Sequence, residues 1–242
     1  MERWQDEAIV LAARPHGEGH AIVSVLARAR GHWRGHVRGG ASSRQRGLWQ
    51  PGNVLAVAWS ARLADQLGHL TGEPVAAIAA AAMDQPWSLA ILASACAVAE
   101  AALPEHEPHP LAYAGLAGLL ARIGEGASLA ADYVRWEVAL LAELGYGLDL
   151  SACAVTGRRE GLAYVSPRTG RAVTAEGAGA WAERLLVLPR FLRGDSAAGP
   201  GEVAAGLRLT GHFLARDVFG LAHRPVPAAR LRLAERAEAE GT

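Results

Sequence analysis

The spacing of apolar residues changes once along this chain, and the change limits the folds it can adopt. Up to about residue 75, short apolar or alternating segments are separated by turns rich in Gly and Pro; the segments are 7–14, 21–28, 32–38, 51–62 and 67–75. In the fourth segment, Leu55, Val57 and Trp59 alternate onto one face, as in a half-buried strand. Five short strands in this span predict a small barrel or sandwich.

From about residue 76 the apolar period becomes helical. Three stripes are predicted to face a core: Leu89, Leu92, Cys96, Ala99 and Leu103 on 86–103; Leu129, Tyr133, Trp136, Leu140 and Leu144 on 128–147; and Val203, Leu207, Leu214 and Val218 on 202–219. Segment 148–173 breaks this pattern and predicts one or two small hairpins. Segment 196–201 predicts a short loop, and the C-terminal tail predicts a helical end that frays into solvent.

Positive charge is concentrated in one stretch, residues 28–46. It contains six arginines and no acidic residue, although the whole chain has a formal net charge of zero. The remaining residues must therefore carry six net negative charges. Such segregation of charge is typical of nucleic-acid-binding proteins, because a row of like charges repels itself unless a polyanion screens it.

As a strand, residues 32–38 would place His32, Arg34, His36 and Arg38 on one face. Trp33, Gly35 and Val37 would then face the core. The glycines and serines of 39–43 predict a flexible loop that leads to Arg44 and Arg46. Trp49, just beyond this loop, is the predicted stacking partner for a base. The alternative is a solvated basic surface that has no ligand.

Other motifs do not favour catalysis or a metal. The pairs His16/His20 and His32/His36 have the HxxxH spacing, but both lie in strand or loop context. Cys96 lies on an apolar stripe and is predicted to be a core thiol. No phosphate-binding loop, GxSxG or GxGxxG motif occurs in the sequence. Nothing in the sequence therefore indicates an active site, and we predict no cofactor.

The chain is predicted to be cytoplasmic. No uninterrupted apolar run reaches the roughly 18 residues that a membrane span needs, and the N-terminal residues "MERWQDEAIV" lack the apolar core of a signal peptide. Two widely separated cysteines also give no disulfide framework.

Several segments in order resemble the RecO family of bacterial DNA repair proteins. They are "RPHGEGHAIVSVLARARG", "VRGGASSRQRGLWQPGNVLAVAWSARLADQLG", "YVRWEVALLAELGYGLDLSACAVTG", "YVSPRTGRAV" and "GLRLTGHFLARDVFG". The resemblance extends over about residues 5–220. The charged loop before "QPGN" and the helix "RWEVALLAELG" before the hairpin region are its most specific parts.

The resemblance implies an α+β protein: a five-stranded OB-fold barrel at 1–78, then a mainly α-helical domain at 79–242 with a small hairpin insertion at about 148–175. It also implies a protein that is not an enzyme, that binds single- and double-stranded DNA, that anneals complementary strands, and that acts with RecR and, in the wider pathway, RecF. Such proteins help RecA replace single-strand-binding protein on gapped DNA. They also contact the acidic C-terminal tail of single-strand-binding protein.

Residues are transferred from the family one by one. Predicted DNA contacts are Arg34, Arg38, Arg44 and Arg46, with Arg14, Arg28 and Arg30 as additional contacts. Predicted partner-binding residues are Arg122 and Arg135 for the tail of single-strand-binding protein, and Arg208 and Arg216, with His212, for DNA or RecR. For Arg135, an ion pair with Asp132 or Glu137 is an equal alternative.

The hairpin region departs from the family. Many members hold a zinc ion there with four ligands, whereas this chain offers only Cys153; Gly157, Ser166, Gly170 and Arg171 stand where other cysteines are expected. Because one thiol cannot build a structural zinc site, we predict none. Three other functions stay open: an OB-fold RNA or tRNA binder, an enzyme whose site forms only in the folded helical domain, and a protein-interaction scaffold.

Overall fold

A computed structural model describes residues 2–63, 66–125, 129–194 and 198–241. The chain forms two compact units, Met1–Ala127 and Ser128–Thr242. The first unit therefore includes helices as well as the strands predicted at 1–78. The division between the two units lies about fifty residues after the domain boundary predicted at residue 78. That boundary, which separates the strand segment from the helical segment, stays a prediction.

The first unit contains a closed five-stranded barrel. Its strands are β1 (Glu2–His16), β2 (His20–Ala27), β3 (Gly31–Val37), β4 (Val54–Ala61) and β5 (His69–Ala76), arranged in the order β1-β2-β3-β5-β4. All neighbouring strands are antiparallel except β3 and β5, which meet in parallel at His36 and His69. This is the OB-fold arrangement that was predicted.

A cluster of tryptophans fills one part of the barrel core. The ring of Trp59 lies 4.6 Å from that of Trp33 and 5.9 Å from that of Trp4. Leu55, Val57 and Trp59 are all buried, as their alternation predicted. Because the indole N–H groups are polar, they need partners: Trp33 donates to the carbonyl of Arg30, and Trp59 donates to those of Arg34 and Leu67.

Three helices complete the first unit: α1 (Ile78–Ala82), α2 (Pro86–Ala102) and α3 (Pro110–Ala121). Both longer helices begin with proline, whose fixed φ suits the first helical position. In α2, Leu92, Cys96 and Ala99 are buried as predicted, and so is Leu103 just beyond it. The prediction for Leu89 was wrong, because this side chain near the helix start is exposed.

The second unit contains helices α4 (Leu129–Glu143), α5 (Ala175–Ala178), α6 (Pro200–Phe213) and α7 (Ala228–Gly241), with α6 continuing as a π-helical turn over Leu214–Phe219. A small sheet has β6 (Leu162–Val165) between β7 (Ala172–Thr174) and β8 (Leu186–Val187). The β6–β7 hairpin lies in the region predicted for hairpins. The strand β8 was not predicted.

The apolar stripes predicted for α4 and α6 are largely confirmed. Leu129, Tyr133, Trp136 and Leu140 are buried in the first, with Leu144 half-buried beyond the helix end, and all four predicted α6 residues are buried. Ser128, the predicted start of this helix, and residues 196–197 of the predicted loop lie outside the described residues. The tail is helical as predicted, but it is not free in solvent along its length: α7 packs against α6 and buries Arg230, Leu233 and Ala237.

No helix within the described ranges is long and apolar enough to cross a membrane.

Candidate nucleic-acid interface

Strand β3 has the alternation expected of it. Trp33, Gly35 and Val37 are buried in the barrel, and Arg34 on the opposite face is exposed. Arg38 follows the strand and is also exposed. The outward face of β3 therefore leads directly into the loop that contains Arg44 and Arg46.

His32 does not belong to the exposed face, so this part of the prediction was wrong. Its side chain is only 3% exposed, and its Nδ1 lies 3.1 Å from the carbonyl of Leu103. The backbone N–H of His106 donates to the carbonyl of His32. The chain after α2 thus covers this end of β3, and burial lowers the pKa of the His32 imidazole.

Three of the predicted DNA-binding arginines face glutamates. Arg14 donates from both terminal nitrogens to Glu100, at 2.5 and 2.8 Å, and Arg34 lies 2.8 Å from Glu105. Arg28 is farther from Glu7, at 4.0 Å. Their charges are therefore partly neutralised within the protein, and their role as phosphate contacts stays a prediction.

Glu100 receives a second hydrogen bond, from the hydroxyl of Ser24, at 2.9 Å. Burial raises the pKa of this carboxyl, but the hydrogen bonds from Arg14 and Ser24 outweigh it, so the pKa lies below its usual range. This pair connects β1 to α2 and has a structural role.

The other four predicted contacts are Arg30, Arg38, Arg44 and Arg46. All are exposed, and among the described residues none of them has an acidic side chain within ion-pair distance. Arg30 precedes β3 whereas Arg38 follows it, which separates them by roughly 26 Å along an extended strand. The structure therefore groups Arg38, Arg44 and Arg46, which we call the loop arginines, and places Arg30 at the other end of β3.

The loop that carries these arginines is built from consecutive hydrogen-bonded turns, which differs from the flexible loop expected. The N–H of Arg46 donates to the carbonyl of Ser42, and the N–H of Ala41 donates to Gly19 in the β1–β2 turn. The side-chain amide of Asn53 donates to the carbonyls of Gly47 and Leu48. These bonds hold the loop arginines against one end of the barrel.

Trp49 is not available to stack on a base, so its predicted role was wrong. Its side chain is 2% exposed and belongs to the barrel core cluster. The loop turns back after Gly47, which carries the indole inward. Its Nε1 atom is buried and has no hydrogen-bond partner among the described residues.

Four histidines meet beside the loop arginines, an arrangement that the sequence did not predict. The ring of His36 lies 5.1 Å from that of His20, 5.6 Å from that of His69 and 6.0 Å from that of His16. His16 and His20 are paired across β1 and β2, as their sequence spacing allows, whereas His32 is buried elsewhere and only His36 of its pair joins the cluster. His36 joins the other three because β2 and β5 flank β3 in the barrel.

The predicted partner-binding arginines all have local partners. Arg122 binds Glu125, and Arg135 binds Asp132 and the carbonyl of Phe191. Arg208 lies 3.4 Å from Glu238. Arg216 binds Asp217 and the carbonyls of Pro167 and Arg168, and His212 contacts Pro167 as well. Their roles in partner binding stay predictions.

A different surface of the second unit combines arginine with exposed apolar groups. The guanidinium of Arg184 lies 5.0 Å from the ring centroid of Trp181, which is 62% exposed. Val187 is exposed nearby in the sequence, on β8. The sequence did not predict this pair, because the apolar residues of this segment show no clear helical or strand period.

Cys153 lies in the hairpin region with its thiol buried. Its Sγ accepts hydrogen bonds from the backbone N–H groups of Thr156 and Thr174, at 3.4 and 3.2 Å. Burial raises the pKa of the thiol, but the hydrogen bonds from both threonines outweigh it and lower the pKa to about 6. Within the described ranges, no three His, Cys, Asp or Glu side chains lie close enough together to hold a metal ion.

Comparison with known proteins identifies the family. The model for the recombination protein O N-terminal domain matches residues 1–78, and that for the C-terminal domain matches residues 83–224. The chain belongs to the RecO family. It is 52% identical to the DNA repair protein RecO of Granulibacter bethesdensis over 236 residues, which cover 96% of this chain and 94% of that protein.

Two further RecO proteins are similarly close. The chain is 51% identical to the DNA repair protein RecO of Gluconacetobacter diazotrophicus, with 98% of this chain and 95% of that protein covered. It is 50% identical to that of Rhodospirillum centenum, with 96% and 94% covered. The RecO identification therefore spans both compact units, and it confirms the resemblance seen in the sequence.

Proposed function

We propose that this RecO-family protein is a cytoplasmic recombination mediator that binds single- and double-stranded DNA and anneals complementary strands. With RecR, and with RecF in the wider pathway, it would help RecA replace single-strand-binding protein on gapped DNA. The protein would act by binding alone and would not be an enzyme.

The observation that carries this proposal is the set of loop arginines, which have no acidic partner in the part of the chain that the structure describes, beside an OB-fold barrel. Arginine binds phosphate through a planar fork of donors, and each neutralised phosphate releases counterions. Arg30 would add a contact at the other end of β3. Arg14, Arg28 and Arg34 would contribute less, because they share their charge with glutamates.

The same surface explains how annealing would proceed. Two strands bound near one group of positive charges repel each other less than they do in water, because the charges screen the phosphates. Such a mechanism needs no nucleotide hydrolysis.

For the tail of single-strand-binding protein, we propose the surface of Trp181, Arg184 and Val187. That tail is acidic and ends in apolar residues, so it needs an arginine next to apolar surface. Arg122 and Arg135 meet the charge requirement less well, because both are bound to carboxylates. The face of Arg208 and Arg216 remains our candidate for RecR. Holding the tail would raise the local concentration of this protein at coated gaps.

The central test is fluorescence anisotropy of a labelled single strand across a salt series. We compare wild type with the variant Arg38→Ala/Arg44→Ala/Arg46→Ala. If each arginine neutralises one phosphate, the logarithmic salt slope of the variant should be smaller by about 2, at about 0.7 per contact. Affinity at low salt should fall correspondingly.

The matched control is Arg158→Ala/Arg171→Ala/Arg190→Ala. These three arginines are equally exposed but bind Glu176, Asp149 and Glu202. The control should bind DNA as wild type does. Equal losses of DNA affinity in both triple variants would mean that total charge matters and the loop does not. Tighter binding to a matched RNA strand than to DNA would favour the RNA-binding alternative.

The tail surface is tested with a peptide of the last residues of single-strand-binding protein. Trp181→Ala should abolish its binding and leave affinity for DNA unchanged. If Trp181→Ala binds the peptide as wild type does and Arg135→Ala does not bind it, the binding site lies on α4 instead.

A further inference from the structure

The four-histidine cluster has no role in the function proposed above, yet it adjoins the loop arginines. His20 and Arg38 are linked through the β1–β2 turn and the loop, because the N–H of Gly39 donates to Nδ1 of His20 at 3.1 Å. The N–H of Ala41 donates to Gly19 in the same turn. The cluster and the loop arginines therefore form one continuous surface at this end of the barrel.

The groups that face His36 are all basic. They are His16 from β1, His20 from β2, His69 from β5 and Arg38 from the loop. Burial and these neighbouring positive groups lower the pKa of the His36 imidazole. Among the described residues no carboxylate lies within ion-pair distance of these four histidines, so an anion placed there would stabilise the protonated imidazoles.

A cleft of about 200 Å³ opens beside this cluster. Its lining includes His36, Arg38, Gln45, Trp49, His69 and Thr71. Nδ1 of His36 and Nε1 of Trp49 are buried, and neither has a hydrogen-bond partner among the described residues. A buried polar atom without a partner is unfavourable, so a ligand that supplies acceptor oxygens would find two unused donors here.

We propose that His16, His20, His36 and His69 form a phosphate subsite that takes up protons when it binds a backbone phosphate of a nucleic acid. This inference rests on the proposed function, since it extends the surface of the loop arginines. A protonated imidazole donates from both ring nitrogens, which matches the acceptor oxygens of a phosphate. A metal ion is a poorer occupant, because no three potential ligands among the described residues lie close enough together.

The consequence is DNA affinity that rises as pH falls. Raising the pKa of one imidazole by one unit on binding strengthens binding by at most about tenfold once the site is fully protonated. Between about pH 8 and pH 6, where histidine titrates, we expect affinity for an oligothymidine strand to rise at least about fivefold. Thymine bases do not titrate in this range, and a rhodamine label avoids a signal that depends on pH.

The test variant is His16→Gln/His20→Asn/His69→Gln. Asn at position 20 offers an oxygen to the N–H of Gly39 in place of Nδ1. It should bind the strand at high pH about as wild type does and lose most of the increase at low pH, since only His36 can still take up a proton. The control His223→Asn removes an exposed histidine of the second unit, where Asn tolerates the positive φ of 52°, and it should keep the full increase.

Calorimetry of the wild type in two buffers of different ionisation enthalpy measures proton uptake without any substitution. Net uptake on binding the strand supports the inference, and zero uptake overturns it. So does a triple variant that keeps the full pH dependence. If inorganic phosphate at constant ionic strength displaces the strand fully, the cluster is a site for free phosphate instead. Failure of the wild type to bind at any pH would refute the proposed DNA binding itself, whereas binding without pH dependence refutes only the histidine subsite.

Discussion

Arg230 of the second unit and the loop arginines of the first have opposite surroundings. In the second unit, Arg230 is 2% exposed and donates to both oxygens of Glu137, at 2.5 and 3.0 Å, and to the carbonyl of Leu207. In the first unit, the loop arginines are exposed and have no acidic neighbour among the described residues. What distinguishes a structural arginine from one available to a ligand is therefore its neighbours, and the number of arginines in a segment is a poor guide.

The largest effect expected from this comparison is on stability. Arg230→Ala leaves Glu137 buried with only Thr210 and Tyr133 as hydrogen-bond donors, and breaking a buried pair in this way costs about 3–5 kcal/mol of unfolding free energy. Urea unfolding measures this loss. The loop triple variant should lie within about 0.5 kcal/mol of wild type per site, as surface substitutions do. Similar losses in both variants would contradict the distinction.

A second comparison is between Gly31 and Gly47. Gly31 has a φ of +76°, and a Cβ there would stand 1.7 Å from the carbonyl oxygen of Glu107. Gly31→Ala should therefore destabilise the protein by more than the roughly 1–3 kcal/mol that a left-handed backbone costs a residue other than glycine. Gly47, which has open space around it, is the control. A neutral Gly31→Ala in thermal unfolding would mean that the covering segment is easily displaced.

The sequence predicted part of the fold, and the rest depends on contacts between distant residues. Alternation of residues such as Leu55, Val57 and Trp59 predicted the strands of a small barrel or sandwich, because side-chain period follows directly from strand geometry, and the family resemblance added the OB-fold. The acidic partners of the arginines could not be predicted from local sequence patterns, because Glu100, for example, lies 86 positions from Arg14. The burial of Trp49 also depends on where the loop turns back, which local patterns do not determine.

The sequence also predicted only part of the candidate site. The positive stretch identified the loop arginines correctly as exposed, because they follow the strand whose inward face was clear from Trp33 and Val37. The histidine cluster was missed, because β5 meets β3 only through the parallel pairing of His36 and His69. Pairing between distant strands leaves no short spacing in the sequence.

An intermediate case is Arg14, which is exposed but binds the half-buried Glu100. Because the pKa of Glu100 is lowered in the folded protein, its stabilising contribution is present at neutral pH and is lost as pH falls through that pKa. Arg14→Ala should cost less than about 1 kcal/mol near neutral pH, since water screens the pair. The unfolding free energies of variant and wild type should converge in acid. A constant difference at all pH values would assign the effect to lost packing.

The smallest effect expected is that of a chelator. If the small sheet of the second unit is held by its own hydrogen bonds, it needs no metal: the Cys153 thiol already accepts from Thr156 and Thr174, and the N–H of Ala154 donates to the carbonyl of Ala172. A structural zinc site contributes directly to folding, so its removal would lower the melting temperature markedly. We expect no change with chelator and far less than one zinc per chain by metal analysis. One zinc per chain would instead mean that the second unit, unlike the barrel, depends on a ligand for its own stability.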